Sequence, residues 1–253
     1  MATLKKKKRS FFGRIWRFCL KLAILFFVLS IGTTIVYRWV NPPVTPLMII
    51  RLFGQKMDGK DLKLEKDWLD IDSISPNMWH AAIVQEDPKF MYHNGFDWEA
   101  IKIAQEYNKT HKNKRGASTI SQQTAKNVFL WPDRTWIRKG LEVYFTFLIE
   151  TFWSKERIME VYLNIIEFGD GIYGVNAAAD EYFKNSAEKL SKEQAVSLAA
   201  CIPGPLIMNV KKPTQLYYIK KSFIYRYWGY GPVKELVKHP YSEWEEIYGK
   251  KRR

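Results

Sequence analysis

With 253 residues the chain can hold one domain with a sizeable core plus an appendage. Its net charge of +14 is uneven: residues 1–21 carry eight Lys or Arg and no acid, and the rest balances 32 basic against 26 acidic groups. The excess is a tail, so nucleic acid is not an expected partner, and two cysteines, Cys19 and Cys201, imply no disulfide framework.

Leu22 to Tyr37 carries no charge and lies between Lys21 and Arg38. A full span needs about 20 residues. Snorkelling by Lys21 and Arg38, with Trp16, Tyr37 and Trp39 at the interfaces, extends the segment to a spanning length. A cleaved signal peptide is the competing reading, but no small-x-small site follows and the chain runs on through Val36-Tyr37-Arg38-Trp39. The expectation is therefore a basic cytoplasmic tail over 1–17 and a retained transmembrane anchor over 18–40. Because positive charge gathers on the N-terminal side, the remainder is expected outside the cytoplasmic membrane.

Asn41-Pro42-Pro43-Val44-Thr45-Pro46 reads as a stiff, extended stretch, giving a Pro-rich linker over 41–48 and a domain over 49–253. Helices dominate from there. Ser75-Pro76 looks like an N-cap with proline at the first helical position, and Trp79, Ala82 and Ile83 share a face until Pro88 stops the helix. Thr119-x-x-Gln122 and Ser191-x-x-Gln194 are capping-box patterns ahead of apolar runs. Residues 138–152 are apolar nearly all round, predicting a buried central helix. A helix over about 155–166, a Gly-rich turn at Gly169–Gly174 and a helix from Val175 to Phe183 complete the reading, with one short hairpin at most. The predicted fold class is mainly α.

Three stretches carry chemistry. In Glu86-Asp87-Pro88-Lys89-Phe90-x-x-His93-x-Gly95-x-Asp97, two carboxylates sit at a helix end, where the dipole raises a carboxyl pKa and suits a general base. An ordinary acidic turn is the bland alternative, and the spacing of His93 with Asp87 and Asp97 matches no familiar metal-ligand pattern. From Arg115 to Asn127, Thr119, Gln122 or Gln123, Lys126 and Leu130 fall on one helical face, so donors run back from a helix N-terminus where phosphate oxygens could sit. A solvated polar face would look the same. In Arg134-x-x-x-Arg138-Lys139-Gly140-Leu141-Glu142, Glu142 opens the most apolar helix and either pairs with Arg138 or faces a polar cleft.

Together these segments resemble the peptidoglycan glycosyltransferase family, the transglycosylase module of the larger penicillin-binding proteins. Glu86-Asp87-x-x-Phe90-x-x-His93-x-Gly95 resembles its first motif, Gly116-x-Ser118-Thr119-Ile120-x-Gln122-Gln123-x-x-Lys126-Asn127 its second, and Arg138-Lys139-x-x-Glu142 its third. Lys155-x-x-Ile158-x-Glu160-x-Tyr162-Leu163-Asn164 with Gly169-x-Gly171-x-Tyr173-Gly174 resembles the fourth, and Ala195 to Pro205 the last. The short length and the stretch after the anchor are most similar to the monofunctional branch. The segment between the first two motifs, with Trp98, Ile101 and Ile103 followed by Lys109, Lys112, Lys114 and Arg115, is expected against the bilayer.

The resemblance implies a lysozyme-like, two-lobed helical domain that joins lipid II units into linear glycan strands. The growing lipid-linked strand would be the donor and the 4-hydroxyl of incoming lipid II the acceptor, with inversion at the anomeric carbon. Glu86 would be the base, and Glu142 would assist the leaving diphosphate directly or through a divalent cation, Mg or Mn, carried by it. Lys126 and Arg134 would clamp the diphosphate, with Arg138 and Lys139 nearby. Asp87, Phe90, His93, Ser118, Thr119, Gln122, Gln123 and Asn127 would complete the substrate-binding set. No tightly bound cofactor is expected. Cell-wall synthesis or division proteins are the expected partners besides lipid II and the membrane. A glycan-cleaving enzyme on a similar fold and an inactive lipid II-binding scaffold are the alternatives. Ser186-x-x-Lys189 imitates a transpeptidase motif without its partners.

Overall fold

In the computed structural model, which describes residues 11–229, the first element is α1 (Phe11–Val36), long and apolar enough to cross a membrane. It begins ahead of the expected residue 18 and carries Arg14, Arg17 and Lys21 on its first turns. Its apolar side chains, Leu25 and Leu29 among them, are exposed. Among the described residues the chain falls into two compact units that divide between Val40 and Asn41.

In the second unit the predicted linker is shorter than expected. Pro46 opens α2 (Pro46–Met57), and Thr45 Oγ1 accepts from Met48 N at 3.3 Å. Proline suits that place because a first-turn N–H has no helical partner to lose. The extended stretch therefore ends at Thr45.

Ser75 caps α3 (Pro76–Glu86), whose residues from Met78 to Val84 are buried on every side. The single-face reading of Trp79, Ala82 and Ile83 undercounts this burial, because α9 (Lys192–Cys201) and α10 (Gln215–Tyr227) both pack on α3. A second group forms where α5 (Ile120–Phe129) packs on α6 (Trp136–Phe152) and α7 (Lys155–Ile165), with α2 also against α5. In the chain, α4 (Trp98–Thr110), capped by Asp97, separates α3 from α5. Both predicted capping boxes are present, at Thr119 and at Ser191.

The predicted burial of α6 is only half realised. Phe145, Leu148 and Ile149 face its neighbours, while Val143 and Phe147 are 44% and 62% exposed. An all-round apolar helix is buried only if every face finds a partner.

The Gly-rich turn is a hairpin of β2 (Glu167–Gly169) and β3 (Ile172–Tyr173), with β1 (Glu65–Lys66) added in parallel to give the order β1-β3-β2. Gly171 is needed there: its φ is +73°, and a Cβ would stand 2.4 Å from the Lys63 carbonyl oxygen. Then α8 (Val175–Phe183) follows with the expected bounds. The result is the mainly α arrangement expected, with the sheet a minor element.

Candidate active site

Two helix ends meet at the site. Asp87, at the end of α3, is buried, and its Oδ2 accepts from Ile120 N, the first amide of α5, at 3.0 Å. That amide has no partner within its own helix, and the positive helix end favours an anion. His93 Nε2 lies 2.9 and 3.0 Å from the two Asp87 oxygens, completing a clamp between α3 and α5.

The clamp sets Glu86. One turn into α5, Gln123 Nε2 donates to Glu86 Oε2 at 2.6 Å, and Gln85 Nε2 donates to Glu86 Oε1 at 3.3 Å. Gln123 Oε1 in turn accepts from the Tyr162 hydroxyl at 3.4 Å. Burial pushes the Glu86 carboxyl above its ordinary pKa, and the Gln123 and Gln85 hydrogen bonds oppose this only in part. The sequence pointed to the helix dipole, whereas burial is the leading cause. In front of Glu86 lies a hollow of about 790 Å³, lined also by Gln123, Lys126, Arg115, Ser118 and Lys220.

A second hollow of about 470 Å³ lies on the other side of Lys126 and is lined also by Asn127, Arg134, Arg138 and Arg51. Its apolar wall is Leu47, Leu130, Trp131 and Pro132. Burial lowers the Lys126 pKa, opposed by the charge of Glu142. Arg138 Nη1 lies 2.7 Å from Glu142 Oε2, and Lys139 Nζ pairs with Glu142 Oε1. The bridge reading of Glu142 therefore holds, but with two cations. Arg138 Nε is buried with no hydrogen-bond partner among the described residues. A hollow lined by cations is suited to an anion.

The expected residues divide by position. Glu86, Asp87, Ser118, Thr119 and Gln123 line the first hollow; Asn127, Arg134 and Arg138 line the second, and Lys126 lines both. Phe90, His93, Gln122, Lys139 and Glu142 are not among the lining residues. Phe90 is fully buried with the Lys155 ammonium 4.5 Å from its ring centre, and His93 holds Asp87. Gln122 Oε1 accepts from Thr119 N at 3.0 Å, while the Thr119 hydroxyl donates to the Gly95 carbonyl at 2.6 Å. These groups build the walls from behind. Sequence reasoning passed over Arg51, Gln85, Tyr162 and Lys220. Tyr162 stood within a quoted motif, but Lys220 lies beyond the last motif and had no local signal.

Residues 55–225 match the family model described as Transglycosylase, a range that takes in α3 to α9 and every motif quoted above. The chain belongs to the transglycosylase family. This transglycosylase is 51% identical over 206 residues, 81% of its length and 82% of the relative's, to a protein of Bdellovibrio bacteriovorus named biosynthetic peptidoglycan transglycosylase. Proteins of the same name from Bacteroides thetaiotaomicron and Caulobacter vibrioides are each 52% identical, over 209 and 215 residues. Those alignments cover 83% of this chain in each case, and 84% and 91% of the relatives. The two hollows on either side of Lys126 are thus features of a transglycosylase, an enzyme that transfers sugar units.

Proposed function

We propose that this transglycosylase polymerises lipid II into linear glycan strands, with the growing lipid-linked strand in the Lys126–Arg134–Arg138 hollow and the incoming lipid II in the Glu86 hollow. One observation carries the reading: Lys126 lines both hollows, between a carboxyl of raised pKa and a cluster of cations. The 4-hydroxyl oxygen attacks the anomeric carbon while Glu86 takes its proton. The bond from that carbon to the diphosphate oxygen breaks, and the diphosphate departs with the electron pair from the opposite face. Lys126, Arg134 and Arg138 meet the charge that develops on it. Glu142 acts from behind by holding Arg138 and Lys139. Ser118 and Asn127 supply neutral hydrogen-bonding groups, one in each hollow.

A resident divalent cation finds a poor site here. Both Glu142 oxygens are engaged by Arg138 and Lys139, and the one carboxylate that lines the second hollow, Asp133, is exposed and accepts from Arg134 N at 2.6 Å. On this reading any Mg or Mn would arrive with the diphosphate, beside Lys126, Arg134 and Arg138.

The same proposal sets α1 in the cytoplasmic membrane, with the basic tail inside and the catalytic domain on the outer face, where exported lipid II is available. The cations favour a diphosphate over the neutral glycan that a lytic enzyme would hold. Incubation with labelled lipid II tests the function. Long strands, with no shortening of preformed glycan, are expected; shortening without synthesis would make the protein lytic, and binding without either would make it a scaffold.

A further inference from the structure

Glu167 is the first residue of β2, and its carboxylate receives two bonds from α2: Arg51 Nε at 3.0 Å to Oε1 and Arg51 Nη2 at 3.1 Å to Oε2. The two partners are unequally covered, with the Glu167 side chain 6% exposed and that of Arg51 38%. Arg51 and Leu47, one turn apart on α2, both line the second hollow. Both bonds use Nε and Nη2, and Nη1 is in neither. A two-point contact of this kind fixes the plane of a guanidinium and leaves its remaining edge to face a ligand.

We propose that Arg51 is a diphosphate-binding residue of the second hollow, set in place by Glu167. The proposal rests on the donor reading given above. Arg51, Lys126, Arg134 and Arg138 line one hollow with Asp133 the single acid among its lining residues, an excess of positive charge that an anion shared between them would balance. Arg51 and Glu167 do not need that hollow to pair. If α2 had only to be tied to the hairpin, the bond from Gln55 Nε2 to Asp170 Oδ1 at 2.9 Å already does so without charge in the hollow. The apolar wall of Leu47, Leu130, Trp131 and Pro132 lies beside the cations, which suits the first prenyl units next to a lipid diphosphate. α2 thus supplies one contact of each kind.

The test uses the full-length protein in detergent micelles, with undecaprenyl diphosphate as inhibitor of strand synthesis. The double variant Arg51→Gln with Glu167→Gln removes the cation but keeps a hydrogen-bonding pair. It should raise the inhibition constant about tenfold, the loss of one charge-assisted contact, with a melting temperature close to that of the parent. Glu167→Gln alone, which keeps the cation, should raise it less. Lys126→Ala is the control for the donor reading. An unchanged inhibition constant in the double variant, beside a raised one in Lys126→Ala, would make Arg51 a structural tie only. Unchanged constants in both would overturn the donor reading and this proposal with it. If the double variant does not fold, Arg51→Gln alone also removes the cation, and an unchanged constant there would contradict the proposal.

Discussion

Glu86 and Lys126 both carry charge against the pull of burial. Burial raises the Glu86 pKa above 4.5 and lowers that of Lys126 below 10.5. A carboxyl with a raised folded-state pKa stabilises the fold below its unfolded pKa, and that stability is lost as pH rises through the folded value. At neutral pH the ionised Glu86 is therefore a burden on folding. For Lys126 the sign reverses, since its disfavoured charged form is the protonated one, and stability falls as pH drops from the unfolded value through the folded one. Lys126→Met should thus melt at or above the parent at pH 7, while strand synthesis falls about 10- to 100-fold, as expected for a lost charge-assisted contact of ~1.5–3 kcal/mol. Arg134→Ala, at an exposed position, should leave melting unchanged and lower synthesis likewise. A large fall in melting temperature with normal activity of the folded fraction would make either residue structural. The rate should also rise with pH along an acid limb centred above 4.5, because the base must be ionised. A limb centred below that value would remove Glu86 as the titrating group.

At the scale of elements, the site depends on how α5 starts. Thr119 caps that helix and holds the Gly95 carbonyl, while Asp87 holds its first amide. Thr119→Ala should cost about 1–2 kcal/mol of stability, and Thr119→Ser should restore most of it, as read by thermal melting. If Thr119→Ala instead melts normally and loses only lipid II binding, the hydroxyl touches substrate. Gly95 belongs to the same joint: φ is +85°, and a Cβ there would lie 2.7 Å from Thr146 Cγ2. This level of structure was partly legible in the sequence. Capping boxes at Thr119 and Ser191, the proline at the start of α3 and the bounds of α8 are local patterns, set within four residues, and they could be read. The Gln123–Glu86 and Arg51–Glu167 contacts join residues 37 and 116 positions apart, and nothing local announces them. Glu86 was legible as a candidate base through its place at a helix end and its motif. The burial that raises its pKa was not, since it comes from the packing around a cleft. For the same reason the exposure of Val143 and Phe147 on α6 was out of reach: composition reports a face's polarity, not its neighbours.

At the scale of the whole molecule, charge is divided between a basic N-terminal tail and a nearly balanced domain on either side of a spanning-length helix. A reporter active only outside the cytoplasm, fused after Arg253, should be active; activity only in the cytoplasmic compartment would contradict the proposed topology and the access to exported lipid II. On the proposed topology and mechanism, the Asp87–Ile120 contact between α3 and α5 would position Glu86, and the cations lining the second hollow would meet the leaving group. Glu86→Gln, which keeps size and hydrogen-bonding capacity but removes the basic oxygen, tests this most directly when lipid II binding and strand formation are measured on the same purified variant. Binding should persist while polymerisation falls by about two orders of magnitude or more, with melting at or above that of the parent. Near-normal polymerisation by Glu86→Gln would contradict the mechanism outright.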